Sequence, residues 1–270
     1  MSVATQLTTL SAAFDDYPHT LPLKRGEIKS DHVAFNFSDI KPANRFFKPM
    51  VRELKFDVSE MAIATYVQAK AYGKPLVLIP ATMMGRFQHG TILCNAARPL
   101  RPADLAGRRV GVRSYSQTTA VWVRGFLAND YAVDMDRLHW VTFEDGHVGE
   151  YREPAGVERA GAGKNLLQML REGELDAAIY GADLPNDPAL TSLIPDPEQA
   201  AQQWYRTAPS RADQPYGGGH RITRRVAAGP GGRGLPPARA SQEGRRAEGG
   251  QHRFPARRVR GLPPGVEHDR

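Results

Sequence analysis

FDVSEMAIATYVQAKAYGKPLVLIP, residues 56–80, is the stretch that decides the fold class. Phe56–Met61 is typical of a short strand, and it runs into a helical segment, Ile63–Tyr72, that Gly73 ends. Leu76–Pro80 (LVLIP) is apolar throughout, as expected for a strand in a sheet covered on both faces. A strand, a helix and a buried strand in direct succession predict an α/β architecture.

The same alternation continues on both sides of this stretch. Further strands are predicted at Leu7–Phe14, Val33–Phe37, Thr91–Ala96, Arg109–Val112, Leu138–Phe143 and Ala177–Tyr180. Further helices are predicted at Asn44–Glu53, Pro102–Gly107, Ala120–Asn129 and Asn165–Glu172. We therefore predict an α/β fold with mostly parallel sheets, in which strand-to-helix turns hold the ligand.

Length and composition set the class of protein. The 270 residues are enough for two modest domains. Residues 1–20 lack the pattern of a secretory signal, and no apolar run is long enough to span a membrane. The single cysteine, Cys94, lies in the apolar run TILCNA and is interpreted as a core residue. We expect a cytoplasmic protein without a membrane partner.

The last 62 residues, 209–270, differ sharply from the rest in composition. They contain 13 Arg, 12 Gly and 8 Pro but no Lys, and they carry 13 basic and 5 acidic residues. The other 208 residues hold 23 basic and 24 acidic residues, so the chain's net charge of +7 comes from this tail alone.

Three interpretations of the tail compete. It is a nucleic-acid-binding arm, a disordered extension, or the out-of-frame translation of a GC-rich gene. We favour the third, because a one-base shift converts residues 215–229 into HMVVVTESLAASRP, a strand followed by a helix start. The near-neutral body offers no basic face, so we expect no nucleic-acid partner.

Four segments together resemble a known family: residues 56–80, RFQHGTILCNA (86–96), PADLAGRRVGVRSYSQTTAVWVRGFL (102–127) and LLQMLREGELDAAIYG (166–181). They look like the 4,5-dihydroxyphthalate decarboxylase family, which is similar in fold to the type II periplasmic solute-binding proteins. The resemblance covers about Asp16 to Tyr205. It implies a two-lobed type II periplasmic-binding-protein-like fold with lobes at 1–95 and 96–208 and a ligand cleft between them. In such a fold, a strand after the second lobe returns to the first lobe. Here a disordered tail at 209–270 would replace that return strand, so we expect the chain to be poorly stable and inactive.

Polar residues at the strand-to-helix turns are the candidate site. Ser114, Ser116, Gln117, Thr118 and Thr119 precede a helix, where hydroxyls and amides hold anions; the alternative is simple N-capping by one of them. The other candidates that bind substrate are Tyr17, Ser59, Glu60, Arg113, Glu144, Asp145 and His147. Glu144, Asp145 and His147 could supply a general acid or a divalent-metal site, but their spacing is not a specific metal signature, so neither a metal nor a cofactor is predicted.

The resemblance implies decarboxylation of a dihydroxylated aromatic dicarboxylate, a small-molecule substrate. Such a reaction protonates the ring carbon that bears the carboxylate, and carbon dioxide then leaves. We assign the proton to His89 or His19 and the carboxylate to Arg86 as the catalytic residues. The alternative is a solute-binding protein of an ABC transporter that binds an organic anion without chemistry; the missing signal argues against it. The oligomeric state is left open.

Overall fold

The computed structural model describes residues 7–181, 184–207 and 220–225, which form eleven strands and six α-helices. The strands are β1 (Thr8–Ala13), β2 (Val33–Phe37), β3 (Val58–Ala62), β4 (Leu76–Met84), β5 (Ile92–Asn95), β6 (Arg109–Val112), β7 (His139–Thr142), β8 (Glu158–Arg159), β9 (Ala177–Ile179), β10 (Leu190–Ser192) and β11 (His220–Arg225). The helices are α1 (Leu21–Lys24), α2 (Asn44–Glu53), α3 (Ile63–Ala71), α4 (Thr118–Asp130), α5 (Leu166–Glu172) and α6 (Pro197–Thr207).

The first sheet has the strand order β2-β1-β3-β11-β4. Strand β1 is parallel to both β2 and β3. Strand β11 is antiparallel to both β3 and β4, so β4 runs in the same direction as β1, β2 and β3. The carboxyl ends of these four strands therefore lie along one edge of the sheet.

The second sheet has the order β10-β5-β9-β6-β7-β8. Strands β9, β6, β7 and β8 are mutually parallel, and β5 is antiparallel to β9. The prediction of an α/β fold with two lobes is confirmed by these two separate sheets. Because β5 pairs in the second sheet, the chain changes sheet between Met84 and Ile92, ahead of the lobe boundary predicted at residue 95.

Strand β11 comes from the segment 209–270, whose Gly, Pro and Arg content predicts no regular structure. Its six residues lie between β3 and β4, the place of a strand that returns from the second lobe to the first. The expectation of a missing return strand therefore does not hold at these six residues. The remainder of that segment lies outside the described residues.

Apolar side chains cover both faces of each sheet. In the first sheet, Phe46 and Met50 of α2 pack with Met61 on one face, while Phe14 and Met83 pack on the other. In the second sheet, α4 and α5 cover opposite faces. Burial on both faces explains why short strands such as β9 are apolar at every position.

Gly111, in the middle of β6, lets helix α5 lie close to the second sheet. A β-carbon at this position would stand 2.5 Å from Leu175 Cδ1 and 2.6 Å from Leu166 Cδ1, both of which pack in the core beneath α5. The Val-Gly-Val pattern of this strand thus reflects a packing requirement and brings the start of α5 towards the edge where the strands end.

Most predicted elements occur within two residues of their predicted bounds. One differs in type, because Pro102–Leu105 is a 3-10 turn where the sequence predicts a short α-helix. No helix within the described part of the chain is long and apolar enough to cross a membrane.

Candidate functional site

A cleft of about 640 Å³ lies where the strands of both sheets end. It is reached by the segments after β1, β3, β4, β6, β7 and β9 and by the starts of α2, α4 and α5. Parallel strands deliver their following loops to one edge, so turns that are far apart in sequence meet there. The lining residues are Asp15, Tyr17, Pro42, Ala43, Asn44, Phe47, Ala62, Met84, Arg86, Arg113, Gln117, Thr118, Thr119, Phe143, Glu144, His147, Lys164, Asn165, Leu166, Ile179, Tyr180 and Gly181.

Three cationic side chains line this cleft: Arg86 after β4, Arg113 after β6, and Lys164 before α5. Arg113 Nε lies 3.8 Å from Glu144 Oε2, and Lys164 Nζ lies 2.6 Å from Glu174 Oε1. The lining therefore carries cationic groups from both sheets, and acidic side chains position Arg113 and Lys164.

Several buried polar atoms of the lining have no hydrogen-bond partner within the described part of the chain. They are Asn44 Oδ1, Arg113 Nε, Gln117 Oε1 and Tyr180 OH. A buried polar atom without a partner costs on the order of 1–3 kcal/mol, so native proteins rarely retain one without a reason. A polar ligand in the cleft would satisfy several of these atoms at once.

The start of helix α4 is not capped by its own N-cap side chain. Gln117 occupies the N-cap position without a side-chain hydrogen bond to the helix, and its Oε1 atom is among the unpartnered ones. Thr118 Oγ1 instead accepts a hydrogen bond from the backbone N–H of Ala64, 3.2 Å away. The open amino terminus of this helix lies at the cleft, where its N–H groups favour an anion.

Tyr17 and Glu60 form a hydrogen-bonded pair on the first-sheet side of the cleft. Tyr17 lines the cleft, and its hydroxyl donates a hydrogen bond to Glu60 Oε1 over 2.6 Å. Glu60 is fully buried, and its Oε2 accepts from the backbone N–H of Asp15 at 3.1 Å. Burial raises the pKa of the Glu60 carboxyl, and burial together with that carboxylate raises the pKa of Tyr17.

His147 is the histidine of the cleft lining. Its Nδ1 lies 2.7 Å from Thr65 Oγ1, and its ring packs edge-on against Phe47. The guanidinium of Arg52 donates to the backbone carbonyls of Gly146 and His147, both at 2.9 Å. Residues of α2 and α3 thus fix this imidazole from the first-sheet side, although the loop itself follows β7.

Two histidines assigned to the proton by sequence lie elsewhere. His89 is 4% exposed, and its ring stacks on Phe126 with the ring centroids 4.6 Å apart. It is outside the cleft lining, and burial lowers its pKa, which disfavours the protonated form that an acid needs. His19 is exposed and stacks on Tyr17 at 5.4 Å, so it borders a lining residue without lining the cleft itself.

The other sequence candidates divide between the lining and its surroundings. Those that line the cleft are Tyr17, Arg86, Arg113, Gln117, Thr118, Thr119, Glu144 and His147. Ser59 and Glu60 lie behind the lining within β3, both fully buried. Ser114 and Ser116 hold the turn before α4, with their hydroxyls 3.5 Å apart. Asp145 points away to an exposed ion pair with Arg159.

Glu144, Asp145 and His147 do not converge as a metal site would require. Glu144 faces Arg113, Asp145 pairs with Arg159, and His147 bonds to Thr65. Among the residues that the structure describes, no group of three or more His, Cys, Asp or Glu side chains is arranged to hold a metal ion.

Sequence reasoning missed Asp15, Asn44, Lys164, Asn165 and Tyr180. A signal existed for Tyr180, which directly follows the apolar strand β9, and for Asn165, a residue type favoured at helix starts. Asn165 does cap α5, since its Oδ1 accepts from the N–H groups of Leu167 and Gln168.

The strands of two sheets end at one polar cleft. This arrangement is typical of α/β proteins that bind a small polar ligand at the carboxyl ends of parallel strands. Over 227 residues the chain is 33% identical to 4,5-dihydroxyphthalate decarboxylase of Pseudomonas putida, an alignment that covers 78% of this chain and 87% of that protein. The protein of the same name from Comamonas testosteroni is 31% identical over 216 residues, which cover 73% of this chain. The chain belongs to the 4,5-dihydroxyphthalate decarboxylase family.

Other comparisons add context. The aligned part spans 63% of the Comamonas relative's length, less than two thirds of it. No protein-family model matches the chain. Solved structures similar to it include the periplasmic aliphatic sulphonate-binding protein SsuA of Escherichia coli, with 15% identity, a TM-score of 0.46, and coverage of 80% of this chain and 65% of that one. Protein AF1704 of Archaeoglobus fulgidus is similar at 13% identity and a TM-score of 0.46, covering 82% and 69%.

Proposed function

We propose that this chain decarboxylates a dihydroxylated aromatic dicarboxylate, of the 4,5-dihydroxyphthalate type, in the cleft. The observation that carries the proposal is the combination of cationic, acidic and hydroxyl groups in one lining. Arg86, Arg113 and Lys164 supply positive charge, and Asp15, Glu144 and Tyr17 supply carboxylates and a hydroxyl. A ring that carries both carboxylates and hydroxyls matches this combination of groups. A volume of about 640 Å³ is ample for such a ligand.

The carboxylates are assigned to the cationic groups. Arg113 offers an Nε that makes no hydrogen bond within the described residues, although it lies 3.8 Å from Glu144, and the open start of α4 adds the dipole and N–H groups of a 13-residue helix. Tyr180 OH, which lacks a partner within the described residues, can donate to a carboxylate, whereas the unpartnered Gln117 Oε1 is an acceptor and suits a ring hydroxyl. These contacts would hold two negative charges close together, and release of one carboxylate as carbon dioxide would relieve their repulsion.

Decarboxylation also needs a proton at the ring carbon that loses the carboxylate. His147 is our assignment for this proton, in place of His89 and His19. Its Nδ1 contact with Thr65 suits both protonation states, since a hydroxyl both donates and accepts. As an imidazolium it would give its proton to the ring carbon, the carbon–carboxylate bond would break, and its electron pair would restore the aromatic ring.

The test is carbon dioxide release from 4,5-dihydroxyphthalate by the full chain, with phthalate as the control that lacks hydroxyls. We expect release from the first compound alone, and a loss of about 100-fold or more in His147→Gln. Tight binding of the compound with no gas release would instead identify a solute-binding protein. Failure to bind it would contradict both functions.

A further inference from the structure

We propose that Tyr17 and Glu60 form a proton relay that removes the proton from a ring hydroxyl of the bound substrate. The proposal rests on the proposed function and gives it a second catalytic group, the base, to complement His147 as the acid. Tyr17 is the group that would contact the substrate, and Glu60 is the buried acceptor behind it.

The hydrogen bond between Tyr17 and Glu60 already points in the direction that such a relay needs, from the cleft towards the buried carboxylate. Tyr17 lines the cleft, while its hydroxyl donates inward to Glu60 Oε1 over 2.6 Å. The phenolic oxygen can accept a proton from the cleft as it passes its own proton to the carboxylate. Glu60 is held in place by the Asp15 N–H on its other oxygen, and the His19 ring stacks on Tyr17 at 5.4 Å.

Burial raises the pKa of both groups, with a different consequence for each. It raises the pKa of the Glu60 carboxyl, which makes its carboxylate a stronger base than an exposed one. The pKa of Tyr17 is raised as well, so its phenolate does not accumulate and the proton moves through it to Glu60. Glu60 uses both carboxylate oxygens as acceptors, one for the Tyr17 hydroxyl and one for the Asp15 N–H, so the carboxylate is held facing Tyr17 in the orientation that a proton acceptor needs.

The relay completes the chemistry with a full balance of protons. The ring hydroxyl loses its proton to the Tyr17 oxygen, and the Tyr17 proton moves to Glu60. The resulting phenolate pushes electron density to the ring carbon para to it, which takes a proton from His147. The bond to the carboxylate then breaks, and carbon dioxide leaves. The product stays a phenolate while it is bound and regains its proton from Glu60 through Tyr17 as it leaves, and His147 takes one from water.

Ionisation of a bound catechol tests the relay separately from turnover. The probe is 3,4-dihydroxybenzoate, the compound left when 4,5-dihydroxyphthalate loses one carboxylate, followed by ultraviolet difference spectroscopy at neutral pH. We expect the full chain to bind it as a phenolate, with red-shifted absorption, and expect Tyr17→Phe and Glu60→Gln to bind it as the neutral phenol. Tyr131→Phe, which removes a half-buried phenol packed on Phe126, is the matched control.

The outcomes separate the relay from the proposed reaction. A neutral probe on the unaltered chain, or a phenolate that persists in both variants, overturns the relay. Carbon dioxide release that stays unchanged in Tyr17→Phe overturns it too, while the decarboxylase function stands. A phenolate that depends on both residues, with no gas release, leaves the relay standing and removes the reaction. Should Glu60→Gln fail to fold, Tyr17→Phe carries the test, because its ring still fills the same space.

Discussion

A carboxylate as enclosed as that of Glu60 couples the stability of the fold to pH. Its pKa is raised by burial, so the folded chain keeps the proton to a higher pH than the unfolded chain does. The stabilising contribution of this group is complete below the ordinary carboxyl pKa and is lost as pH rises through the raised one. The Tyr17 hydrogen bond, which favours the carboxylate, offsets part of that loss.

We therefore predict that Glu60→Gln gains stability relative to the unaltered chain as pH rises above the ordinary carboxyl pKa of about 4.3 and through the raised pKa of Glu60. The difference in unfolding free energy should grow with a slope of at most about 1.4 kcal/mol per pH unit. Urea unfolding at a series of pH values measures this slope. Glu27→Gln, at an exposed position, should show a flat difference. Parallel curves for the two variants would contradict the raised pKa.

Tyr180 supplies a second test at the residue scale. Its hydroxyl is buried without a partner in the described part of the chain, and burial raises its pKa to about 12. We predict that Tyr180→Phe leaves the melting temperature of the ligand-free protein unchanged or slightly higher, because the fold loses no hydrogen bond. The affinity for the aromatic dicarboxylate should fall about fivefold, which corresponds to about 1 kcal/mol. Scanning calorimetry measures the melting temperature, and titration calorimetry measures the affinity. An affinity equal to that of the unaltered chain would contradict a contact between Tyr180 and the ligand.

At the scale of single elements, one rule predicted several residues of the cleft lining from sequence. Residues that directly follow a parallel strand reach the edge where ligands bind, and the residues that this rule selects, Arg86, Arg113 and Glu144, line the cleft, while their roles stay predictions. It failed for His89, only three residues beyond Arg86, because the chain has by then turned into a 3-10 segment packed on α4. Hydrophobic periodicity locates the turn between β4 and β5, but it does not show whether the His89 ring faces the cleft or packs against α4.

Side-chain contacts between the elements of the first sheet and the loops of the second sheet could not be predicted from sequence. Arg52 reads as an ordinary exposed helix residue in sequence, yet its guanidinium holds two carbonyls of the loop that follows β7. The Thr65–His147 contact likewise joins residues 82 positions apart. Such pairs depend on how the sheets meet, and no local pattern of α2, α3 or the loop encodes that geometry.

Helix α2 contacts the loop that carries His147 through Arg52, which we propose as a positioning residue for that imidazole. We predict that Arg52→Lys lowers kcat for decarboxylation about tenfold with a small change in KM, because a lysine cannot donate along two fixed directions and the imidazole shifts. The melting temperature should change little, since Arg52 is exposed. Arg45→Lys on the same helix is the control. Equal loss of activity in both variants, or none in Arg52→Lys, would contradict the positioning role.

At the scale of the whole molecule, the order of the first sheet depends on the tail. Without β11, strands β3 and β4 would have no shared partner, and every residue of β3 is buried. The six residues that fill this central position are His-Arg-Ile-Thr-Arg-Arg, four of them basic or ionisable. Central strands of sheets covered on both faces are normally apolar, so composition and position disagree here.

The out-of-frame hypothesis predicts an apolar strand from a neighbouring part of the chain and leads to the last prediction. The shifted frame supplies HMVVV in place of Tyr-Gly-Gly-Gly-His, residues 216–220, which end at the first residue of β11, so this apolar run would have to take the place of β11 between β3 and β4. Replacing residues 209–270 with the reframed sequence should therefore raise soluble yield and increase the melting temperature by at least about 5 °C. Sequencing the gene around the codons for Tyr205–Tyr216 provides the independent check. If the chain melts cooperatively as it stands and the reframed chain is no more stable, the basic strand is native to this fold and the hypothesis is wrong.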